Sequence, residues 1–90
     1  MSISENKIGF YVGEHWVEVQ GKTRMIYPLW CVSVDGIVQD SKKKVGKFSL
    51  NAMAGTQQIV VDIRQSWFGD VVLSVTVEGK PIQVLNGFLL

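Results

Sequence analysis

The sequence predicts a single all-β domain, an antiparallel two-sheet β-sandwich of seven or eight short strands, with a small β-barrel as the alternative. Three observations support this prediction. Apolar and polar residues alternate along most of the chain, which is the period of a half-buried strand. Turn-forming residues interrupt these runs about every 8–12 residues. No segment has a sustained helical period, and 90 residues are enough for one core and no second domain.

The predicted strands follow one another with short connections. They cover residues 8–12, 15–20, 23–33, 37–40, 45–51, 57–65, 70–78 and 81–85, and residues 1–6 are expected to form a flexible N-terminus. Pro28 is expected to divide the third segment or to form a bulge in it, because proline lacks the N–H group that a ladder needs. Residues 50–54 are the only helix-like stretch. They are too short to form a helix alone, so we assign them to a strand end and a turn.

Two acid–glycine pairs predict tight hairpins. Asp35-Gly36 and Glu78-Gly79 each separate two apolar runs, and such pairs suit type I′ turns, in which both central residues have positive φ. The segments around them, VSVDG at 32–36 and VTVEG at 75–79, lie 43 residues apart. We interpret this echo as two hairpins that use the same turn chemistry, in preference to an ancient duplication.

Composition and charge exclude several classes of protein. Nine basic and eight acidic residues give a net charge of +1, which lacks the strong field of a non-specific nucleic-acid binder. One cysteine and one histidine exclude a zinc finger and a disulfide scaffold. No secretory signal is visible, and the apolar runs are too short to span a bilayer. We therefore expect a cytoplasmic protein with no cofactor, no membrane span and no nucleic-acid partner.

Catalytic chemistry has two isolated candidates. His15 is the one imidazole, and in the alternation it shares a face with Val17, which is typical of a structural histidine. Cys31 lies between the inward positions Trp30 and Val32, where inert packing is the usual state of a cysteine. Acidic residues occur singly, and there is no glycine-rich phosphate loop. The sequence therefore predicts a protein that is not an enzyme.

One cluster of lysines is a candidate anion contact. Lys42, Lys43 and Lys44 are consecutive, and Lys47 follows two residues later. Such a cluster can bind phosphate, nucleic acid or an anionic lipid surface. It is also typical of a solvated loop, where lysines beside strand edges prevent edge-to-edge pairing. Because the net charge is close to zero, we favour the solvated loop.

Aromatic residues supply the candidate interaction surface. Trp67 and Phe68 are adjacent between two patterned strands, so their side chains are expected to point to opposite faces and at least one to be exposed. The alternative for this pair is a cap on the open end of the sandwich. Trp16 and Tyr27 complete the candidate surface. Residues 84–90 are unusually apolar for a tail, and they could close a sheet edge or pack against another subunit.

Four segments together resemble one repeat of the Fas apoptotic inhibitory molecule family. They are VSVDG at 32–36, VGKFSL at 45–50, QIVVDI at 58–63 and VLSVTVEGKP at 72–81. In that family a V-x-V-D-G hairpin is followed by a G-K strand, a further strand and a final hairpin. The resemblance covers about residues 14–85, and the family's full-length members carry two such units. It implies a compact antiparallel β-sandwich that works by interaction and supplies no catalytic residues.

These observations predict a non-catalytic protein-interaction module, with a homodimer as one form of it, that uses an exposed aromatic corner and strand edges. The alternative is a ligand-binding module for carbohydrate or single-stranded nucleic acid, in which exposed aromatics stack on the ligand and Lys42, Lys43 and Lys44 contact phosphate. A third hypothesis is a small enzyme centred on His15 or Cys31.

Overall fold

The protein is an all-β sandwich of nine strands. The computed structural model describes residues 2–4, 7–22, 27–66 and 70–89, with side chains for residues 7–22, 27–66 and 71–82. The strands are β1 (Ser2–Ser4), β2 (Lys7–Val12), β3 (His15–Lys22), β4 (Leu29–Val34), β5 (Ile37–Lys43), β6 (Gly46–Ala54), β7 (Gln57–Gln65), β8 (Asp70–Val77) and β9 (Lys80–Leu89). No helix within the described residues has the length and hydropathy needed to cross a bilayer.

The strands form two antiparallel sheets in which each strand pairs with its neighbours in sequence. The first sheet has the order β1-β2-β3-β4-β5, and the second has the order β6-β7-β8-β9. The two sheets do not close on each other. The predicted all-β sandwich is therefore confirmed, and the alternative of a closed barrel is wrong.

Strand boundaries differ from the prediction mainly near the ends. Residues 23–26 of the segment predicted over 23–33 lie outside the described residues, and β4 begins at Leu29, directly after Pro28, because proline cannot donate to a ladder. β5 continues past residue 40 to Lys43, and β6 continues past residue 51 to Ala54. The additional strand, β1, lies within residues 1–6, for which the sequence predicts a flexible N-terminus.

The core lies between the sheets and follows the predicted alternation. Buried residues alternate with less buried ones along β3, β4, β6, β7 and β8. Trp30 is buried, as expected, and so is Phe48. The core side chains are those of Ile8, Phe10, Val12, Val17, Val19, Trp30, Val32, Val34, Phe48, Leu50, Ala52, Ala54, Ile59, Val61, Ile63, Val71, Leu73 and Val75. Trp30 Nε1–H donates to Gln65 Oε1 at 2.8 Å, so one polar contact joins the sheets through the core.

Strands β2–β5 and β6–β9 are two copies of the same structural unit. In each copy the last hairpin turns through an acid–glycine pair with positive φ at both residues, Asp35-Gly36 and Glu78-Gly79. In each copy the acid's N–H and carboxylate bond to the main chain of the unit's second strand, at Trp16 or at Gln58. The echo seen in the sequence thus marks hairpins with the same turn chemistry.

The correspondence between the units extends beyond these turns. A β-bulge falls between Val32 and Ser33 in the pairing of β4 with β5, and between Val75 and Thr76 in the pairing of β8 with β9, at the same offset of 43 residues. The extra residue of the first bulge is Gln39, and that of the second is Ile82.

The two units meet along β5 and β6, where side chains take the place of a strand ladder. Gln39 donates to Met53 O (2.9 Å) and accepts from Met53 N–H (2.7 Å), Asp40 accepts from Asn51 N–H (2.9 Å), and Lys42 donates to Ser49 O (2.7 Å). The bulge re-aims the Gln39 side chain toward β6. These bonds satisfy main-chain groups along the outer edge of β6, an edge that would otherwise be open to pairing.

Candidate functional site

The hairpin turns after β2, β4, β6 and β8 lie at one end of the sandwich, which we call the turn end, and β3, β5 and β7 end at the other, which we call the loop end. A Cβ atom placed on Gly55 would be 3.2 Å from His15 Nε2, and one placed on Gly13 would be 3.8 Å from Gln57 Oε1. The first hairpins of the two units therefore face each other at the turn end. Lys42, Lys43, Lys44 and Lys47 lie near the loop end, around the connection from β5 to β6.

An aromatic pair lies on the outer face of the five-stranded sheet. Trp16 pairs in register with Tyr11, and their rings meet edge to face with centroids 4.8 Å apart. Tyr11 is 68% exposed, whereas Trp16 is half-buried because its ring lies against Gly9. A Cβ atom on Gly9 would be 2.2 Å from Trp16 Cζ2, so only glycine leaves room for the ring. The more exposed member of the pair, Tyr11, was not among the predicted candidates.

Hydrogen bonds hold the Trp16 ring in one orientation. Its Nε1–H donates to Glu18 Oε1 at 2.7 Å, and Lys7 Nζ pairs with Glu18 Oε2 at 2.8 Å. The hydrogen bonds from Lys7 and then from Trp16 lower the pKa of the Glu18 carboxyl from its ordinary value, against the opposing effect of desolvation. This face therefore carries a fixed aromatic pair bordered by an ion pair.

His15 joins three elements at the turn end. Its Nδ1–H donates to Asp35 Oδ2 at 2.6 Å, and the other oxygen of Asp35 accepts from Trp16 N–H at 2.9 Å. These bonds, the one from His15 first, lower the pKa of the Asp35 carboxyl. Since its other ring nitrogen lies against Gly55, His15 makes the contacts of a structural residue. From the sequence, Asp35 was assigned only to the turn. In the structure it also accepts hydrogen bonds from His15 and from the main chain of Trp16.

Cys31 and His15 are not assembled into one site. Cys31 is half-buried on the outer side of β4 and pairs in register with Gln20. His15 lies five positions before Gln20 on the same strand, which is about 17 Å along an extended strand. Within the part of the chain that the structure describes, no group of three or more histidine, cysteine or acidic side chains could hold a metal ion.

The predicted lysine cluster lies where the chain passes from the first sheet to the second, at the end of β5 and the start of β6. Lys42 and Lys43 belong to β5, where the sequence predicted a loop. Lys42 spans the corner through its bond to Ser49 O, and Lys44 Nζ lies 5.8 Å from the centre of the Phe48 ring. The solvated-loop hypothesis therefore omits the part that these lysines play in joining the sheets.

Lys47 lies on the outer face of the four-stranded sheet and has a cationic neighbour. It pairs in register with Arg64 of β7, and both side chains are exposed. A shallow, open depression beside them is lined by Lys47, Asp62, Ile63, Arg64, Val72 and Ser74. Sequence reasoning missed Arg64, because alternation assigns a residue to a face but does not say which residue of the next strand lies opposite.

Of the three remaining aromatic candidates, the structure describes Tyr27 but not Trp67 or Phe68. Tyr27 is 39% exposed and precedes β4 at the loop end. Trp67 and Phe68 lie outside the described residues, so their predicted exposure stays a prediction. Tyr11 and Trp16 lie near the turn end, while Lys43, Lys44 and Lys47 lie in or beside the β5–β6 connection. Tyr11 and Trp16 thus do not share a surface with these lysines, and the ligand-binding alternative stays a prediction.

The apolar C-terminal segment forms the edge strand β9. β9 runs over Lys80–Leu89 and pairs with β8, and no described strand lies along its other side. Residues 83–89 include no charged residue. By contrast, β5, the corresponding strand of the first unit, carries Asp40, Lys42 and Lys43 and bonds to β6 through its side chains. β9 is therefore the longest strand edge that no described element covers.

Comparison with protein-family models, with curated proteins and with solved structures gives no match for this chain. The resemblance to the Fas apoptotic inhibitory molecule family therefore stays a prediction from the sequence.

Proposed function

We propose that this protein is a non-catalytic protein-interaction module that associates through the open edge of β9, and that its partner is a second copy of the chain. The observation that carries this proposal is the contrast between the strand edges. The edge of β6 is bonded by side chains of β5, and β1 covers residues 7–9 of β2. β9 has neither form of cover among the described residues.

An uncovered edge strand presents a row of main-chain N–H and C=O groups that favours pairing with another strand. Proteins that stay monomeric usually protect such an edge with charges, proline or a bulge. β9 has Lys80, Pro81 and the bulge at Ile82 near its start, and its pairing with β8 shifts register again between Leu85 and Phe88, but residues 83–89 carry no charge and no proline. The second half of β9 is therefore the part suited to pairing.

A second copy satisfies this edge with residues that the chain itself supplies. Two β9 strands related by a two-fold axis run antiparallel and would join two four-stranded sheets into one of eight strands. The contact closes on itself, as in most homodimers. The net charge of +1 adds little repulsion between two copies.

The non-catalytic part of the proposal is supported by the two residues that could have carried chemistry. His15 is held between Asp35 and Gly55, and Cys31 lies on another strand at a distance from it. Neither residue has a described partner that would activate a nucleophile.

Sedimentation velocity across a range of concentrations tests the proposal, together with hydrogen–deuterium exchange at low and high concentration. We expect a monomer–dimer equilibrium and amide protection over residues 83–89 that increases with concentration. Ile82→Lys places a charge on a 46% exposed position of the edge strand and is expected to shift the equilibrium to monomer. The matched control is Val38→Lys, at a 58% exposed position beside the equivalent bulge of β5, which should dimerise like the wild type.

A monomer at every concentration would refute pairing with a second copy. If dimers form but protection increases elsewhere, or if both lysine variants dissociate equally, β9 is not the interface. If a different protein pairs with β9 while the chain alone stays monomeric, the edge is right and the partner proposed here is wrong.

A further inference from the structure

We propose that Lys47 and Arg64 form a binding site for a phosphate monoester, the dianionic phosphate group that a small molecule or a modified side chain carries. The site lies on the outer face of the four-stranded sheet and uses neither the edge of β9 nor its pairing, so the two proposals stand or fall separately.

The first observation is that two cations lie directly opposite each other. Lys47 on β6 and Arg64 on β7 are register partners on the same face, and like charges opposed in this way destabilise a sheet. The described ion pairs are Lys7–Glu18 and His15–Asp35, so neither cation has a described carboxylate within 4 Å. A bound dianion would neutralise both charges at once.

The second observation is that most of the charged residues in the surrounding segment are basic. Residues 42–64 include five of the chain's nine basic residues and one of its eight acidic residues. Lys42 and Lys44 stand on the adjoining corner. The charge of the nearly neutral chain is therefore unevenly distributed, with a basic region around this site.

The third observation is the shape and chemistry of the surface beside the two cations. The depression is lined by the apolar Val72, which is the register partner of Arg64, and by the hydroxyl-bearing Ser74, which is the register partner of Asp62. Arginine presents a planar fork of donors that matches two oxygens of a phosphate group, and lysine adds a point charge. Because the depression is shallow and open, it suits a phosphate group that projects from a ligand more than it suits an enclosed organic molecule.

Asp62 also lines the depression, and its carboxylate opposes an anion. Ser49 Oγ–H donates to Asp62 Oδ1 at 2.5 Å, so this carboxylate already has a partner on the side away from β8. Its remaining negative charge is expected to weaken phosphate binding. The site therefore predicts an unusual direction for one variant: Asp62→Asn should bind phosphate more tightly than the wild type.

Nuclear magnetic resonance titration of the full chain tests the proposal, with inorganic phosphate, phosphoserine and dimethyl phosphate as probes at constant ionic strength. We expect saturable shifts of the Arg64 side-chain Nε–H and of the amides of residues 47, 64 and 74, with dissociation constants for the first two probes of about 1 mM. Dimethyl phosphate carries one charge in place of two and should bind about tenfold more weakly.

Three variants separate this site from general attraction to a basic surface. Arg64→Gln should weaken phosphoserine binding about tenfold, Asp62→Asn should tighten it, and the matched control Lys43→Gln should leave it unchanged. Shifts that never saturate, equal losses in Arg64→Gln and Lys43→Gln, or equal binding of dimethyl phosphate would each overturn the proposal. Preference for an oligonucleotide over phosphoserine would assign the surface to nucleic acid and would overturn it as well.

Discussion

The hydrogen bond between Trp30 and Gln65 offers a direct test of how the two sheets are held together. Trp30 is fully buried and Gln65 is 6% exposed, so water cannot replace either partner. Gln65→Met keeps a similar length and removes the acceptor. A buried donor that loses its acceptor costs about 1–3 kcal/mol of unfolding free energy, and for a domain of this size that corresponds to a decrease in Tm of roughly 5–20 °C.

A double-mutant cycle separates this bond from packing effects. Trp30→Phe removes the donor and also part of the ring, so its loss combines packing with the hydrogen bond. In the double variant both the donor and the acceptor of this bond are absent. The sum of the decreases in unfolding free energy of the two single variants should therefore exceed the decrease of the double variant by about 1 kcal/mol. Urea unfolding followed by far-ultraviolet circular dichroism measures all four proteins without depending on tryptophan fluorescence. A coupling energy within about 0.3 kcal/mol of zero would refute the role given to this bond.

Two further predictions concern the outer face and the turn end. Gly9→Ala would place a Cβ atom 2.2 Å from the Trp16 ring, so we expect the ring to be displaced. The unfolding free energy should fall by about 1–2 kcal/mol, and the tryptophan emission should shift to the red. An unchanged Tm with unchanged emission would contradict the packing of the Trp16 ring against Gly9. The hydrogen bond from His15 lowers the pKa of Asp35, so its stabilising effect is present above the unfolded carboxyl pKa of about 4 and is lost as the pH falls through the lower folded value. Calorimetry between pH 5 and pH 2 should show a steeper decrease in Tm for the wild type than for Asp35→Asn, and parallel curves would count against this contribution.

Much of the fold follows from local patterns that the sequence displays directly. Alternation identifies the inward positions, as for Trp30 and Phe48, because a strand places successive side chains on opposite faces. The Asp35-Gly36 and Glu78-Gly79 pairs identify the hairpins, because few residue pairs tolerate positive φ at both positions. These signals were sufficient to predict the sandwich.

The candidate site could be predicted only in part, because it depends on register and on contacts between sheets. The sequence identifies Lys47 as basic but does not show that Arg64 lies opposite it. The bulge residue Gln39 bonds to β6 across the corner, and no local pattern marks it for that role. Asp35 was explained by its turn alone, although His15, twenty residues away, is its partner.

The repeated architecture makes the differences between the units informative. Turns and bulges correspond because each unit must form the same pair of hairpins, so these shared features report on folding. The differing features are the ones that folding alone does not require.

In the first unit the bulge residue is Gln39, whose side chain bonds to the next strand, and the second unit has the exposed Ile82 at that position. The equivalent strands β5 and β9 share the bulge near their start. They differ in that β5 is joined to β6, whereas β9 has a second register shift between Leu85 and Phe88 and no described neighbour on its outer side. If selection acted on folding alone, the edge of β9 would be expected to carry the charges that protect β5. Their absence over residues 83–89 is the difference on which we base the proposal that another strand pairs with this edge.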